Sequence, residues 1–218
     1  VFPLIMAIGS FGFMLGTGGT AEVARAMGEK RDQAANQYFS FLTLVTVLMG
    51  IILSLLAFVF MEPLCYFMGA SELIIDDSMT YGRICILGSV FFMLQGFFQS
   101  FFVTAERPKM GFYLSIFSGI SNIFLDWLLV GVFGMGLSGA AIATVCGFMV
   151  SGLIPVFYFF ANNHSRLQFT KSGKDVAMIL RSMGNGASEM VTNISRSLIT
   201  VLFNVQLMQL RGEDGVAA

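Results

Sequence analysis

The sequence predicts an all-α protein, a polytopic bundle of membrane-spanning helices, on three observations. Hydrophobic residues fill 56% of its 218 positions and charged residues only 11%, against about 25% charged in soluble domains, and mean hydropathy is +0.80. Six apolar stretches each reach the ~20 residues that a spanning helix needs. The charges gather in the connections between them. Transmembrane β-strands would instead show segments of about ten residues in strict alternation.

The first stretch, residues 1–23, is dense in glycine (Gly12, Gly16, Gly18, Gly19). Gly12 and Gly16 form a GxxxG, which lets two helix backbones approach closely. The stretch has neither the basic flank nor the small-residue cleavage pattern of a signal peptide. Arg25, Lys30 and Arg31 follow it. The second stretch, 38–61, ends in a connection holding Glu62, Glu72, Asp76 and Asp77 without Lys or Arg. The third, 81–105, is followed by Arg107 and Lys109. The fourth, 110–133, turns through the uncharged Gly134, Met135 and Gly136 into the fifth, 137–161, where Pro155 removes a backbone donor and is expected to kink the helix. Arg166, Lys171, Lys174 and Arg181 lead into the sixth, 183–210.

Basic residues in short loops mark the cytoplasmic side. By that rule the first, third and fifth connections are cytoplasmic and the other two face outward. The first helix then runs from outside to inside, which implies at least one preceding helix if the full protein starts in the cytoplasm. Apolar sequence from Val1 and the end on Ala218 just after a polar turn read as cuts, so the chain is expected to be a fragment. Cys65, Cys85 and Cys146 lie far apart and His164 is the sole histidine, which argues against a disulfide framework or a zinc site. The cysteines read as helix-packing residues and His164 as a solvated loop residue. A balance of 12 Lys+Arg against 13 Asp+Glu offers no field for nucleic acid.

Most charges, Glu22 and Arg83 among them, sit close enough to a helix end to snorkel. Asp126, Glu189 and Arg196 do not. A charge at the bilayer centre costs about 2.5–3.5 kcal/mol on insertion scales, so it faces a bundle interior or a wet cavity. Asn122 lies four residues before Asp126 and so on the same helix face. Thr144, on the next helix, lies at similar depth, and the short 134–136 turn makes the two helices antiparallel neighbours. Carboxylate, amide oxygen and hydroxyl would make an oxygen-rich pocket for a hard monovalent cation or a carboxyl-held proton. A structural clamp, with Asp126 bonded to Asn122, is the alternative. In the last span Glu189, Asn193, Arg196 or Ser197, Thr200 and Asn204 recur every three or four residues, a stripe expected to line water or a polar interface. A Glu189 to Arg196 ion pair serving packing alone is its alternative.

Together Gly16-Thr17-Gly18-Gly19-Thr20-Ala21 with Gly28-Glu29-Lys30, Glu106-Arg107-Pro108-Lys109, Ser121-Asn122-Ile123-Phe124-Leu125-Asp126, the run from Gly136 to Thr144 and Gly212-Glu213-Asp214-Gly215-Val216-Ala217-Ala218 resemble the multidrug and toxic compound extrusion (MATE) family, in its bacterial multidrug-pump branch. The resemblance covers essentially the whole chain. It implies twelve helices in two six-helix lobes around a central cleft, this chain supplying helices two to seven: residues 1–161 the first lobe without its first helix, 162–182 a cytoplasmic linker, and 183–218 the truncated start of the second lobe. It implies a cell-membrane antiporter, not an enzyme, that exports hydrophobic organic cations and other xenobiotics against entering sodium ions or protons. No cofactor is implied besides the coupling ion; membrane lipids are the expected surroundings, and the full-length protein is expected to be a monomer. Asn122, Asp126 and Thr144 match three members of the family's first-lobe cation site, whose fourth member is on helix one. Some branches carry a functional acidic residue on helix seven; Glu189 sits at a different distance from the preceding glycines and is read, with Asn193, Arg196 and Asn204, as a substrate-path residue.

A lipid-linked sugar flippase of the same superfamily is the nearest rival, although it would want several basic residues in the cavity where the sequence offers Arg196. An intramembrane hydrolase lacks its nucleophile and base, and a passive channel its filter-like loop. The loop charges carry a direct test. Cysteine placed at Lys30, Arg107 or Lys171, with the three native cysteines removed, should resist an impermeant thiol reagent applied outside intact cells. Labelling of Lys171→Cys from outside would reverse the topology.

Overall fold

A computed structural model describes residues 2–67, 72, 74–161, 165–173 and 175–211. His164, Lys174 and the 212–218 motif lie outside the described residues, as does the side chain of Asn204. The helices are α1 (Phe2–Gly28), α2 (Asp32–Val59), α3 (Met61–Phe67), α4 (Ile75–Thr104), α5 (Pro108–Asp126), α6 (Gly136–Phe160) and α7 (Val176–Arg211), with a π-helical segment, Trp127–Val132, continuing α5. Every expected span falls on a helix. Short α3 and the first turns of α4 occupy part of the acidic connection expected as a loop, and α7 begins at Val176, so residues 176–182, expected as linker, are helical.

Turn chemistry explains the helix ends. Lys30 (φ 58°) and Glu106 (φ 59°) both adopt the left-handed conformation. At each, paired bonds close the preceding helix: Lys30 N–H to Met27 O at 3.0 Å and Arg31 N–H to Ala26 O at 2.9 Å, then Glu106 N–H to Val103 O at 3.0 Å and Arg107 N–H to Phe102 O at 2.8 Å. This is the Schellman pattern, which satisfies carbonyls that a helix end leaves open. Pro108 then starts α5 at a position where a missing N–H is harmless. Gly134 (φ 64°) and Gly136 (φ 56°) supply the positive φ of the tight turn from α5 to α6.

Lipid is as apolar as leucine, so helices associate in it through close packing and hydrogen bonds. α1 is the centre of that packing and meets α7 most extensively, then α4 and α2. A Cβ on Gly12 would lie 2.2 Å from Met93 O, and one on Gly16 2.9 Å from Phe97 Cα, so the GxxxG face rests on the backbone of α4. Gly18 and Gly186 do the same between α1 and α7, where added Cβ atoms would lie 1.8 Å from Ser182 O and 2.0 Å from Met14 O. Ser197 Oγ donates to Pro3 O at 2.7 Å at the far end of this pair, and the hydroxyls of Ser54 and Ser89 join α2 to α4 at 2.7 Å. Pro155 is accommodated inside a continuous α6 and buried.

The aromatic content divides between packing and the outer face, where Phe112, Phe117, Phe124, Trp127 and Phe157 are exposed. Phe39, Phe97, Phe98, Phe101, Phe102 and Phe159 are wholly buried in one cluster, with the Phe39 ring 4.9 Å from both Phe101 and Phe159. Cys65 and Cys85 are buried and all three cysteines are free, as packing residues should be; burial pushes the Cys65 thiol up from its ordinary range.

The two kinds of connection separate in space. Arg166 reaches Asp32 at 3.4 Å and Glu106 at 3.5 Å, and Arg181 reaches Glu22 at 3.4 Å, which gathers the three basic connections at one end. Arg25 and Arg31 both bond Glu29 there and hold its carboxyl below the usual glutamate range. At the other end Asp77 and Tyr81 share a hollow with Leu137, so the acidic connection meets the 134–136 turn. Among the described residues five helices are long and apolar enough to cross a membrane: α1, α2, α4, α5 with its π extension, and α6. The sixth expected span differs. α7 is 36 residues long, but its polar stripe lowers its apolarity, and its placement rests on α1.

The glycine contacts predict a sharp positional contrast. Gly18→Val or Gly186→Val should force α1 and α7 apart and lower the melting temperature of the full-length protein in detergent, since overpacking costs ~1–3 kcal/mol even where side chains can yield. Gly28→Ala, where an added Cβ meets nothing within 4 Å, should leave it unchanged. Equal melting of all three would remove backbone contact as the organising feature.

Candidate functional site

Ser118, Asn122 and Asp126 follow one another at four-residue intervals on α5, and so share a face. That face meets α6. Ser118 Oγ donates to Gly147 O at 2.6 Å, and Ser151 Oγ lies 3.1 Å from the same carbonyl and 3.3 Å from Ser118 Oγ. A Cβ on Gly147 would stand 3.3 Å from the Asn122 Cβ, and one on Gly139 3.2 Å from the backbone of Leu129. Two glycines therefore hold α5 and α6 together on either side of Asp126, and Thr144 lies between those glycines on α6.

The three expected site residues are thus brought to one seam, all half-buried. Thr144 Oγ1 donates to Ala140 O at 3.0 Å, which leaves its oxygen free to accept. Among the described residues neither Asp126 nor Asn122 has a hydrogen bond or ion pair, so the clamp between them is not made. Sequence reasoning missed Tyr81. Its side chain, from α4, comes within interaction range of Thr144, Cys85 and Asp126. Tyr81 stands at the edge of an apolar stretch with no motif around it, and only the packing of α4 on α6 brings it near Thr144.

The helix changes character immediately after Asp126. From Trp127 the backbone widens to i→i+5 bonding, with Phe133 N–H to Leu128 O at 3.0 Å. Such segments concentrate at functional sites because they re-aim the side chains beside them. Nothing in Trp127-Leu128-Leu129-Val130 signals it.

On α7, Asn193 Nδ2 donates to Glu189 O at 2.9 Å and lies 3.3 Å from Glu189 Oε1. Both half-buried residues share the face of Ser182, Gly186 and Ser197, which touches α1. Arg196 is exposed at the edge of that face and forms no ion pair with Glu189 among the described residues; the stripe flanks a helix interface and partners Glu189 with Asn193 instead. No group of three or more His, Cys, Asp or Glu among the described residues could hold a metal ion. The oxygen-bearing side chains that α4, α5 and α6 bring towards this seam are those of Asp126, Asn122, Thr144 and Tyr81.

The MatE family profile matches residues 1–128. The chain belongs to the MatE family. It is 28% identical over 212 residues to the probable multidrug resistance protein YoeA of Bacillus subtilis, covering 92% of this chain and 46% of that protein. With the multidrug export protein MepA of Staphylococcus saprophyticus it shares 22% identity, covering 84% of the chain and 41% of the relative. The chain therefore spans about half the length of the curated relatives it matches. In fold it is similar to a MATE family multidrug resistance transporter of the MOP superfamily in its inward-facing conformation (TM-score 0.91, 20% identity, 99% of this chain and 50% of that one). An outward-facing structure gives a TM-score of 0.84, at 20% identity over 99% of this chain and 48% of the other. MATE proteins are integral membrane transporters and not enzymes.

The seam makes a testable claim of its own. In the full-length protein Gly147→Ala needs only a small adjustment around Asn122 and should retain export. Gly147→Leu should separate α5 from α6 and abolish export, although no polar site residue has changed; retention of export by the leucine variant would uncouple the seam from activity.

Proposed function

We propose that the chain is part of a cation-coupled antiporter that exports hydrophobic organic cations and drugs across the cytoplasmic membrane by alternating access, acting as a monomer when full length. Residues 1–161 supply helices two to six of its first lobe, and α7 opens the second. The observation that carries this reading is Asp126: a half-buried carboxylate in a membrane helix, without an ion pair among the described residues, beside the oxygens of Asn122, Thr144 and Tyr81. Such a charge is expensive in a bilayer unless it is used. The multidrug names of the relatives support the substrate class.

The coupling ion, sodium or a proton, binds at Asp126 with Asn122 and Thr144. An ion shifts the balance of two transporter states only as far as its affinity for them differs. Occupation of Asp126 removes its negative charge from the seam, and that change supplies the difference. Glu189, held by Asn193, adds negative charge along the substrate path, with Arg196 and Asn204 further along α7.

Asp126→Asn keeps the shape and most hydrogen-bonding capacity while deleting the ionisable group. The full-length variant should reach the membrane in normal amount and lose ion-driven export; gradient-driven export near the native rate would place coupling elsewhere. A second outcome concerns Glu189. Glu189→Gln should weaken efflux of cationic substrates more than that of neutral ones. Equal loss for both would reduce Glu189 to a packing residue of the α1–α7 interface.

A further inference from the structure

Between α6 and α7 the chain does something its composition does not announce. Leu167 is wholly buried, and the Phe169 ring stacks on Phe39 at 5.0 Å with an interplanar angle of 11°. Three successive backbone N–H groups are all satisfied: Gln168 by Asn36 Oδ1 at 2.9 Å, Phe169 by Phe159 O at 3.1 Å and Thr170 by Ser40 Oγ at 3.0 Å. Arg166 adds its ion pair to Asp32.

These contacts have a register. Arg166, Gln168 and Thr170, two residues apart, meet Asp32, Asn36 and Ser40, four residues apart on α2. Two residues of extended chain advance about 6.6 Å, and four residues of α-helix about 6 Å, so an extended strand can follow the axis of α2 and renew its contact at each turn. The intervening N–H of Phe169 turns to Phe159 O on α6, and the side chains of Leu167 and Phe169 enter the aromatic core around Phe39. After Thr170 the pattern stops: Lys171 and Ser172 are exposed, and Gly173 approaches only the Cβ of Gln37, its own Cβ position 3.7 Å away.

We propose that residues 166–170 are a strap docked in register on α2, moving as one body with α2, α4 and α6, so that the pivot of α7 against that body lies at Lys171 to Gly173. This rests on the alternating-access reading for its motion, and on the contacts above for the strap itself. The connection between the lobes is then a fixed arm with a short hinge, and the swing of α7 starts from a point anchored to the first lobe.

Two measurements on the full-length protein separate the strap from the motion. In hydrogen exchange, the amides of Gln168, Phe169 and Thr170 should exchange about 100-fold or more slowly than those of Ser172 and Gly173, as hydrogen-bonded packed backbone does relative to open segments. Ser40→Ala should release Thr170 in particular. Exchange at 168–170 as fast as at 172–173 overturns the strap, whether or not the protein transports anything. For the motion, Asp32→Cys and Arg166→Cys are joined by a short bifunctional thiol reagent in a background without the native cysteines. Export of a cationic dye should survive the cross-link. If the double variant exports before cross-linking and stops after it, the strap undocks in each cycle and the pivot is wrong; absence of export in the native full-length protein would instead sink the antiporter reading and leave the exchange result standing.

Discussion

The fold depends on backbone-to-backbone contact at the glycines of α1. Because lipid supplies no hydrophobic drive between helices, their association must come from short-range packing, and dispersion weakens steeply with a gap of even an ångström. Gly12 and Gly16 seat α1 on α4, while Gly18 with Gly186 seats it on α7. One helix thereby joins α4 to α7. The Ser197 to Pro3 bond and the Arg181 to Glu22 pair stand near opposite ends of the same interface, and the first, from a short side chain to a backbone carbonyl, requires the two helices to lie close.

The same device positions chemistry on the other side of the bundle. Gly139 and Gly147 draw α6 onto α5, and the residues between them carry the polar atoms. Below Asp126 the seam is closed, with Ser118, Ser151 and the Gly147 carbonyl satisfying one another. At Asp126 it is not, and the backbone widens one residue later. A seam whose hydroxyls satisfy one another on one side and whose carboxylate, among the described residues, has no ion pair on the other is what the proposed coupling role of Asp126 calls for.

What the sequence discloses and what it hides divide along physical lines. Apolar length and the position of charges are local properties, so the first five spans, the separation of basic from acidic connections and the GxxxG contact were legible, whereas the sixth stretch is a helix that falls short of the apolarity of a span. The shared depth of Asn122, Asp126 and Thr144 was legible too, because a three-residue turn forces α5 and α6 to be antiparallel neighbours. Features that depend on a partner were not. Tyr81 belongs to the site only through the packing of α4, and the periodicity of the α7 stripe could not reveal that Asn193, rather than Arg196, meets Glu189. Residues 166–170 read as a polar connection because the side chains that bind them, Asn36 and Ser40, lie some 130 residues away in sequence. The π segment has no compositional mark at all.

The central claim, that Asp126 holds the coupling ion, is tested most directly by displacement at equilibrium. A cationic dye substrate is titrated into detergent-purified full-length protein while protons released into weak buffer, and bound radioactive sodium, are followed together. The account predicts that the native protein gives up one of the two ions as substrate binds and that Asp126→Asn, though still binding the dye, releases neither. Release from Asp126→Asn equal to that of the native protein would contradict it.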